Sequence, residues 1–593
     1  MMLRARRLLL VFSTFLFALL GGLFGRLAWL QVGSREAALA RQTRQSWRSL
    51  TLPAHRGALR DRHGQVLADS LEALQVEAWV PRLTHDGSRP RAEGAVATTV
   101  LDMADCLAPL VQEPATELAQ ALWDPAVAGD GANVRLGRPV TDPDRIDALL
   151  EQRSRRGPLW RADLTPVWAR SYPAGATAGA LLGFVLADGH GGAGLEHGLD
   201  DVLSCGLDGH AYQRRGVGDF ALAATDCPEV PAKHGFDVVL TLDVAVERMV
   251  EEELAASCKQ LSAAGGAAVL LEVETGDVLS LASWPSLDPD RRSTWTKAAQ
   301  VVRPVQAIYS PGSTFKPVML AAALDLGLVK PGDSVDCRPE RGRIPGRRKL
   351  VTDTHPQPRS LSLEEIIVHS SNIGMSNIMI RLVPESEPKN TAAMRPLHEL
   401  LQKLGIGRAT GLPVAAEAAG KLTPLASWSR PYTLVSLSFG HEVSVTPLQM
   451  AAITATLSDG TWRPPRLVSA YLDGEGGRVD VPVAEPVRVF RRETVDFVRD
   501  CMQAVVDKGQ AGVAGVPGIP VAGKTGTTVD ETDPRKEVHS FVALVPADEP
   551  RYALVVVLDR PHGHRYAAQT AAPLAGAILR RALPYLGFPT DLP

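Results

Sequence analysis

The feature that most restricts this chain lies near its start. From Leu8 to Gly25 runs LLLVFSTFLFALLGGLFG, eighteen residues without a charge, with Arg4, Arg6 and Arg7 before it and Arg26 and Trp29 after it. A helix from Leu8 to about Leu30 would be about 34 Å long, enough to cross the roughly 30 Å hydrocarbon layer with Arg26 snorkelling and Trp29 in the interfacial belt. A cleaved signal peptide would have a shorter apolar stretch and a small-residue site directly behind it. The nearest A-x-A here is Ala38-Leu39-Ala40, well past the run, so the segment reads as an uncleaved anchor. The first cysteine is Cys106, which excludes a lipoprotein anchor. The basic N-terminus predicts an inside tail and places everything after about residue 32 outside the cytoplasmic membrane, where no nucleotide cofactor is supplied.

The remainder has globular composition. Of 593 residues, 45% are apolar and 22% charged, which excludes a disordered chain or a polytopic membrane protein and suggests several domains. Sixty-three Lys and Arg against 66 Asp and Glu leave a formal charge of -3, so no global positive field points to nucleic acid. The six cysteines stand 22 to 164 residues apart, with no C-x-x-C pair and no His/Cys cluster, so no metal site is expected. Their even number permits disulfides in an oxidising compartment, although a core of this size does not need them.

Residues 33 to about 47 have helix-forming composition and read as a juxtamembrane stalk. Polar stretches at Asp86 to Gly94 and Gly129 to Asp144 read as loops within an irregular, elongated α+β region that carries no chemical motif up to about Gly235. After Lys233-His234-Gly235 the pattern changes. Asp237 to Asp243 alternates like a strand, VAVERMVEEELAASCKQL repeats at helical spacing, and Ala267 to Ser283 reads as two strands around a turn at Glu274 to Asp277. Ser540 to Pro546 and Tyr552 to Asp559 read as two more strands. Strands at both ends with helices between predict an α+β domain whose single antiparallel sheet is assembled from its two termini.

Three short motifs lie inside that domain. Ser313-Thr314-Phe315-Lys316 follows the turn residues Pro311-Gly312, and Pro317 requires a helix that starts no later than about Ser313. The spacing of three brings Lys316 onto the face of Ser313, at a helix end that favours developing negative charge. A serine needs a base to become a nucleophile, and Lys316 serves only if burial or a second cation keeps its amine neutral. Ser370-Ser371-Asn372 falls on the connection between a helix opened by the capping pair Ser362 and Glu365 and a second helix carrying Ile373, Ile378 and Met379. There Ser370 could relay a proton, and Asn372 offers donor and acceptor to a peptide backbone. Lys524-Thr525-Gly526-Thr527 follows the strand-like Ile519 to Ala522. Gly526 admits close approach of another backbone, and Lys524 with the hydroxyls can hold a carboxylate. Taken singly, the three are equally an ordinary helix start, a turn and a solvated strand edge.

Together they form an ordered set, S-x-x-K, S-x-N and K-T-G, separated by 57 and 154 residues. The chain resembles the class B penicillin-binding proteins, in particular those of cell division (the septal type). The resemblance extends to RGALRDRHGQVLA (Arg56 to Ala68), RSYP (Arg170 to Pro173), GAGLEHGLDDVL (Gly192 to Leu203) and LVSLSFGHEVSVTPLQMAA (Leu434 to Ala452). It departs from the family where His441-Glu442 replaces the usual Gln-Gly, and at Asp290, where Asn is common.

The resemblance implies a residue 1–7 tail, an anchor over 8–30, a stalk and pedestal over 31–235, and a penicillin-binding/serine β-lactamase-like transpeptidase domain over 236–593. It implies acyl transfer on the D-Ala-D-Ala end of a peptidoglycan stem peptide, with Ser313 as nucleophile, Lys316 as base and Ser370 as relay. The backbone N–H groups of Ser313 and Thr527 would hold the oxyanion. Lys524, Thr525, Gly526 and Thr527 would receive the terminal carboxylate, and Asn372 the stem amide. β-Lactams would acylate Ser313 as mimics of the donor. No cofactor is implied. Expected partners are nascent peptidoglycan, a membrane-embedded glycan polymerase and divisome proteins, at the outer side of the cytoplasmic membrane. The competing functions are an elongation-type transpeptidase, which more often carries S-x-D, a D,D-carboxypeptidase or β-lactamase, and a non-catalytic β-lactam sensor or scaffold. Arg338, Arg341, Arg343, Arg347, Arg348 and Lys349 read as a solvated basic loop, and His369 and His441 as structural.

Overall fold

The computed structural model describes residues 2–29, 47–86, 88–128, 133–153, 157–186, 188–215, 221–222, 229–529 and 537–589. Helix α1, Met2–Ala28, begins earlier than the apolar run requires, and over Leu10–Ala28 none of it is buried against protein. Leu10, Phe15, Phe17 and Phe24 all face outward. The hydroxyl of Thr14 donates to the Leu10 carbonyl at 2.7 Å, which removes its need for water. Beyond the run, the Arg26 guanidinium lies 5.0 Å from the centre of the Trp29 ring. The expected stalk over 33–46 lies outside the described residues, and Trp47 opens strand β1, Trp47–Leu52.

By compactness the chain falls into two units, one made of residues 1–55 with 206–234 and the other of residues 56–205 with 235–593. In the smaller unit, β1 runs antiparallel to the strand Gly209–Arg215, and the rings of His55 and His234 stack at 3.6 Å.

The larger unit has two principal cores. One surrounds β2, Val66–Trp79, which is paired on its two sides with β3, Asn133–Val140, and β4, Ala162–Ser171. The helix Glu93–Val111 is long and apolar enough to cross a membrane, yet Val96, Val100, Met103, Leu107 and Val111 are buried in this core. Its apolar stripe at helical spacing is that of a core helix. Strand β3 corrects the expectation of a loop over Gly129 to Asp144. Leu136 and Val140 are its buried residues, and the intervening Gly, Arg and Pro dilute the alternation that would have marked it. Gly137, at φ 65°, lies where a Cβ would stand 2.6 Å from the Val111 side chain, so glycine lets the strand pass close to the helix. Asp86 to Gly94 likewise contains part of a short hairpin, His85–Asp86 with Arg89–Pro90, and the start of the helix at Glu93.

Three segments that carried the family resemblance converge on one buried ionic cluster. Glu196, fully buried, accepts from Arg56 Nε at 2.6 Å and Arg170 Nε at 2.7 Å, and Arg56 also reaches Asp200 at 2.5 Å. The cluster ties Arg56, before the short strand Leu59–Arg60, to the segments carrying Arg170, Glu196 and Asp200. Leu59–Arg60 in turn pairs in parallel with β5, Asp237–Leu240.

The second core belongs to the C-terminal domain. Asp243 ends the expected strand region as an N-cap, accepting from the N–H groups of Ala245 and Val246, and helix α2, Val244–Gln260, follows. Strands β6, Gly265–Glu272, and β7, Val278–Trp284, form the expected hairpin. They join β8, Ala522–Val529, β9, Glu537–Val545, and β10, Tyr552–Asp559, in one antiparallel sheet of order β7-β6-β10-β9-β8. Its first two strands in that order thus come from the start of the domain and its last three from the end, as expected. Helices α2 and Ala571–Tyr585 pack together against the sheet, and Pro447–Asp459 packs against β6, β9 and β10. With helices on its faces, β10 buries all but one of its residues, which is why YALVVVLD reads as continuous rather than alternating hydrophobicity.

Candidate active site

The first motif sits on a short 3-10 turn, Gly312–Phe315, that runs directly into the helix α3, Lys316–Asp325, with Pro317 in its first turn. Gly312, at φ 58°, donates its N–H to the Gly440 carbonyl, and a Cβ there would stand 2.3 Å from Thr528. That close contact presses the turn against β8. Ser313 is half-buried, while Lys316 is fully buried.

The second motif follows the expected capping box. The Ser362 hydroxyl accepts from the Glu365 N–H, and the Glu365 carboxylate accepts from the Ser362 N–H, opening the helix Leu363–Val368. Ser370 then takes a left-handed conformation at φ 55°, sparsely populated for a serine. Ser371 is the N-cap of helix α4, Asn372–Met379, so Asn372 begins a helix rather than lying on the connection. The Lys316 amine donates to the Ser370 carbonyl at 2.5 Å and to its hydroxyl at 3.1 Å.

The third motif lies within β8 itself, not after a strand ending at Ala522. β8 is the last strand of the sheet, so one of its edges is free of strand pairing among the described residues. Alternation along the strand puts Lys524 and Gly526 on one face and Thr525 and Thr527 on the other. A Cβ on Gly526 would stand 2.9 Å from the Pro311 carbonyl oxygen and 2.7 Å from Ser540 Oγ, so glycine is what lets the Ser313 turn lie against the strand. Lys524 is 1% exposed, and its amine donates to the Thr525 carbonyl at 3.2 Å and hydroxyl at 3.4 Å. The Thr527 hydroxyl accepts from the Ala567 N–H at 3.0 Å, which leaves its proton to donate elsewhere.

Folding therefore gathers all three motifs into one place. Lys316 reaches Ser370, and Gly526 abuts the Ser313 turn. Burial pushes the Lys316 amine well below the usual lysine range, the Lys524 charge pushes it further, and the Asp353 carboxylate opposes both. Burial also brings Lys524 down to about 7. A neutral amine beside a serine, with a second amine nearby, can accept and return a proton near neutral pH.

Sequence reasoning missed Asp353, whose carboxylate accepts from the Ser371 hydroxyl at 2.6 Å and from the N–H groups of Asn372 at 2.5 Å and Ile373 at 3.0 Å. It missed Thr352, whose carbonyl holds the Asn372 side-chain amide at 2.8 Å, and Ala567. No spacing signal marks these residues, because each acts through a contact made only in the folded chain. The basic loop is only partly solvated. Arg338 and Arg341 pair with Asp336, and Arg347 donates to the Pro431 carbonyl. With Lys349, Ser310, His441, Glu442 and Thr528, Arg347 lines a cleft of about 780 Å³ that begins three residues before Ser313. Glu442, standing where the family usually has glycine, adopts φ 62°, the conformation a glycine takes without strain. His369 is exposed, and the His441 ring packs edge-on to Phe439 at 5.4 Å. Among the described residues no group of three or more His, Cys, Asp or Glu is placed to hold a metal ion, and Cys106, Cys205, Cys258, Cys337 and Cys501 carry free thiols.

The sequence matches the penicillin binding protein transpeptidase domain over residues 266–580. It is 29% identical to the peptidoglycan D,D-transpeptidase FtsI of Escherichia coli (strain K12), covering 98% of this chain and 93% of that protein. It is 30% identical to the penicillin-binding protein PbpB of Mycobacterium tuberculosis, covering 94% of this chain and 82% of that protein. Among solved structures, penicillin binding protein 3 of Mycobacterium tuberculosis in complex with aztreonam superposes with a TM-score of 0.65 at 25% identity, covering 92% of this chain and 99% of that one. A peptidoglycan synthetase from Bifidobacterium adolescentis gives a TM-score of 0.67 at 25% identity, with coverages of 92% and 98%. A sheet built from both domain ends, the three gathered motifs and likeness along nearly the whole chain agree: this chain belongs to the penicillin-binding protein transpeptidase family, as a class B member similar to the septal peptidoglycan D,D-transpeptidases.

Proposed function

We propose that Ser313 is the nucleophile of the D,D-transpeptidase reaction that this protein performs on peptidoglycan stem peptides in septal wall synthesis. The carrying observation is the Lys316 amine, fully buried and bonded to Ser370. In this reading the neutral amine takes the Ser313 proton as the hydroxyl attacks the penultimate D-Ala carbonyl. The Ser313–acyl bond forms and the D-Ala–D-Ala bond breaks. The proton returns to the departing D-Ala nitrogen through Lys316 and Ser370, and an amine of a neighbouring stem then resolves the ester. The energy is that of the peptide bond broken, so no ATP is required.

The N–H groups of Ser313 and Thr527 would hold the oxyanion, each such donor contributing about 10² to 10³ in rate. Lys524, Thr525 and Thr527 would take the terminal carboxylate, with the free edge of β8 supporting this. Gly526 would contribute by letting the Ser313 turn approach, and Asn372 would receive the stem amide. β-Lactams acylate the same serine. A fluorescent penicillin should label the full-length protein and fail to label Ser313→Ala; labelling of that variant would refute the assignment.

The apolar helix α1 fits a single-pass membrane anchor. We infer an inside tail over 1–7, an anchor over 8–30, a stalk and pedestal over 31–235 and a catalytic domain over 236–593 on the outer side of the cytoplasmic membrane. Arg4, Arg6 and Arg7 ahead of the apolar run support that orientation. We further infer a membrane-embedded glycan polymerase and divisome proteins as partners, engaged through the anchor and pedestal. The motif Ser370-Ser371-Asn372, rather than S-x-D, supports the septal over the elongation role.

A further inference from the structure

We propose that Asp353 is a positioning residue for this reaction: its carboxylate clamps the start of α4 so that Ser370 presents both its carbonyl and its hydroxyl to the Lys316 amine. The inference rests on the reading of Lys316 as the base and adds to it the group that holds the base's partner in place.

Asp353 is 9% exposed, and three donors converge on its carboxylate. The Ser371 hydroxyl and the Asn372 and Ile373 N–H groups lie at 2.6, 2.5 and 3.0 Å. The Ser371 hydroxyl in turn accepts from the Gly374 N–H at 2.9 Å, so the carboxylate and this serine together satisfy three of the donors at the helix start. A negative charge there is also favoured by the helix dipole. The clamp comes from a segment 18 to 20 residues upstream, so it fixes α4 relative to the loop and does not merely cap it.

Ser370 is the residue that needs this. At φ 55° it sits in a sparsely populated region that a side-chain-bearing residue keeps only when its surroundings determine it. On its N-terminal side the chain is held by the Ser370 and Ser371 N–H groups on the carbonyls of Ile367 and Ile366, at 3.2 and 2.9 Å. On its C-terminal side it is held by Asp353. Between these fixed points the Ser370 carbonyl and hydroxyl converge on Lys316.

Charge adds a second signature. The charged groups facing Lys316 are Lys524, which lowers its proton affinity, and Asp353, which raises it. Asp353 itself faces the Cys337 thiol, which burial pushes up in pKa and keeps protonated, and the Ser371 hydroxyl. An aspartate that only filled space would affect folding and nothing else. One that holds Ser370 and moderates Lys316 affects both the rate of acylation and its dependence on pH.

The test is the acylation rate of the full-length, detergent-solubilised protein by a fluorescent penicillin, measured from pH 5 to 9, with folding followed by thermal melting. In Asp353→Asn the maximal rate should fall by about tenfold to a hundredfold. The acid limb should move to lower pH, because an amine without its negative neighbour loses its proton more readily. In Asp353→Glu, which keeps the charge but misplaces it, the rate should fall while the limb stays near its original position. A wild-type rate or an unmoved limb in folded Asp353→Asn overturns the proposal. If Asp353→Asn does not fold, Ser371→Ala decides: it severs one arm of the clamp with the charge intact and should slow acylation severalfold without moving the limb, and a wild-type rate overturns the proposal. Labelled wild type with an inert Ser313→Ala shows that the site reading stands, so that a negative result then falls on Asp353 alone.

Discussion

Two buried ionic clusters in the same compact unit make opposite use of burial. In one, Arg56 and Arg170 meet Glu196 and Asp200, and each guanidinium has a carboxylate at 2.5 to 2.7 Å. Two guanidiniums there meet two carboxylates, and the cluster ties chain segments together. At the candidate active site, Lys316 and Lys524 are buried with Asp353 as the nearby carboxylate, and three donors of the α4 start already occupy that carboxylate. Cations are in excess, the residue type can give up its proton, and the pKa of both lysines falls. The difference shows that burial alone does not make a reactive group; burial with unmatched charge on a deprotonatable side chain does.

The comparison breaks most visibly at Lys316. Lys316→Met should slow penicillin acylation by about 10² to 10⁴ while leaving the thermal midpoint unchanged or higher, since an apolar side chain replaces a buried amine. A slow variant that is also strongly destabilised would make the lysine structural. The mirror experiment is Glu196→Gln, which leaves two guanidiniums buried against a neutral amide. Denaturant unfolding should report a loss of about 3–5 kcal/mol, with the acylation rate of the folded fraction retained. Loss of activity at full stability would erase the contrast between the clusters.

Gly526→Ala sharpens the packing side. Its Cβ would meet Ser540 Oγ and the Pro311 carbonyl oxygen, so about 1–3 kcal/mol of overpacking and slower labelling are expected together. Unchanged labelling would show that the Ser313 turn tolerates retreat from β8.

A pH effect follows from Lys524, whose pKa burial brings down to about 7 in the folded chain, well below the ordinary lysine range. Between that value and the ordinary range the unfolded chain binds more protons than the folded one, so this lysine makes stability rise with pH across that window. Lys524→Met should flatten the rise, and an equally steep curve in the variant would contradict the depressed pKa. The smallest effect belongs to an exposed pair, Lys508 with Glu364 at 3.0 Å. Lys508→Ala should leave both melting and labelling unchanged.

Much of the architecture was readable from residue patterns. The long apolar helix near the start, the β6/β7 hairpin, the last two strands and the Ser362/Glu365 capping box depend on local periodicity and local hydrogen bonds. Strand β3 reads as loop in the sequence because its two buried residues are separated by Gly, Arg and Pro, and its strand state is decided by pairing with β2. The K-T-G residues read as following a strand rather than lying in it for a similar reason, since the apolar signal stops at Ala522 while pairing with β9 continues to Val529.

What the sequence determined by itself is the inventory of chemistry: a serine three residues before a lysine, a serine two before an asparagine, and a lysine-threonine-glycine run, in an order that marks one family. Only the tertiary structure decided that Lys316 and Lys524 would both be buried, with the Lys524 charge lowering the proton affinity of Lys316, that Ser370 would turn its carbonyl and hydroxyl toward one amine, and that Asp353 would hold the loop carrying it. The reason is one of range. Residue order encodes contacts within a turn or two, whereas proton affinity depends on dielectric surroundings and on charges that the chain brings together from hundreds of residues apart.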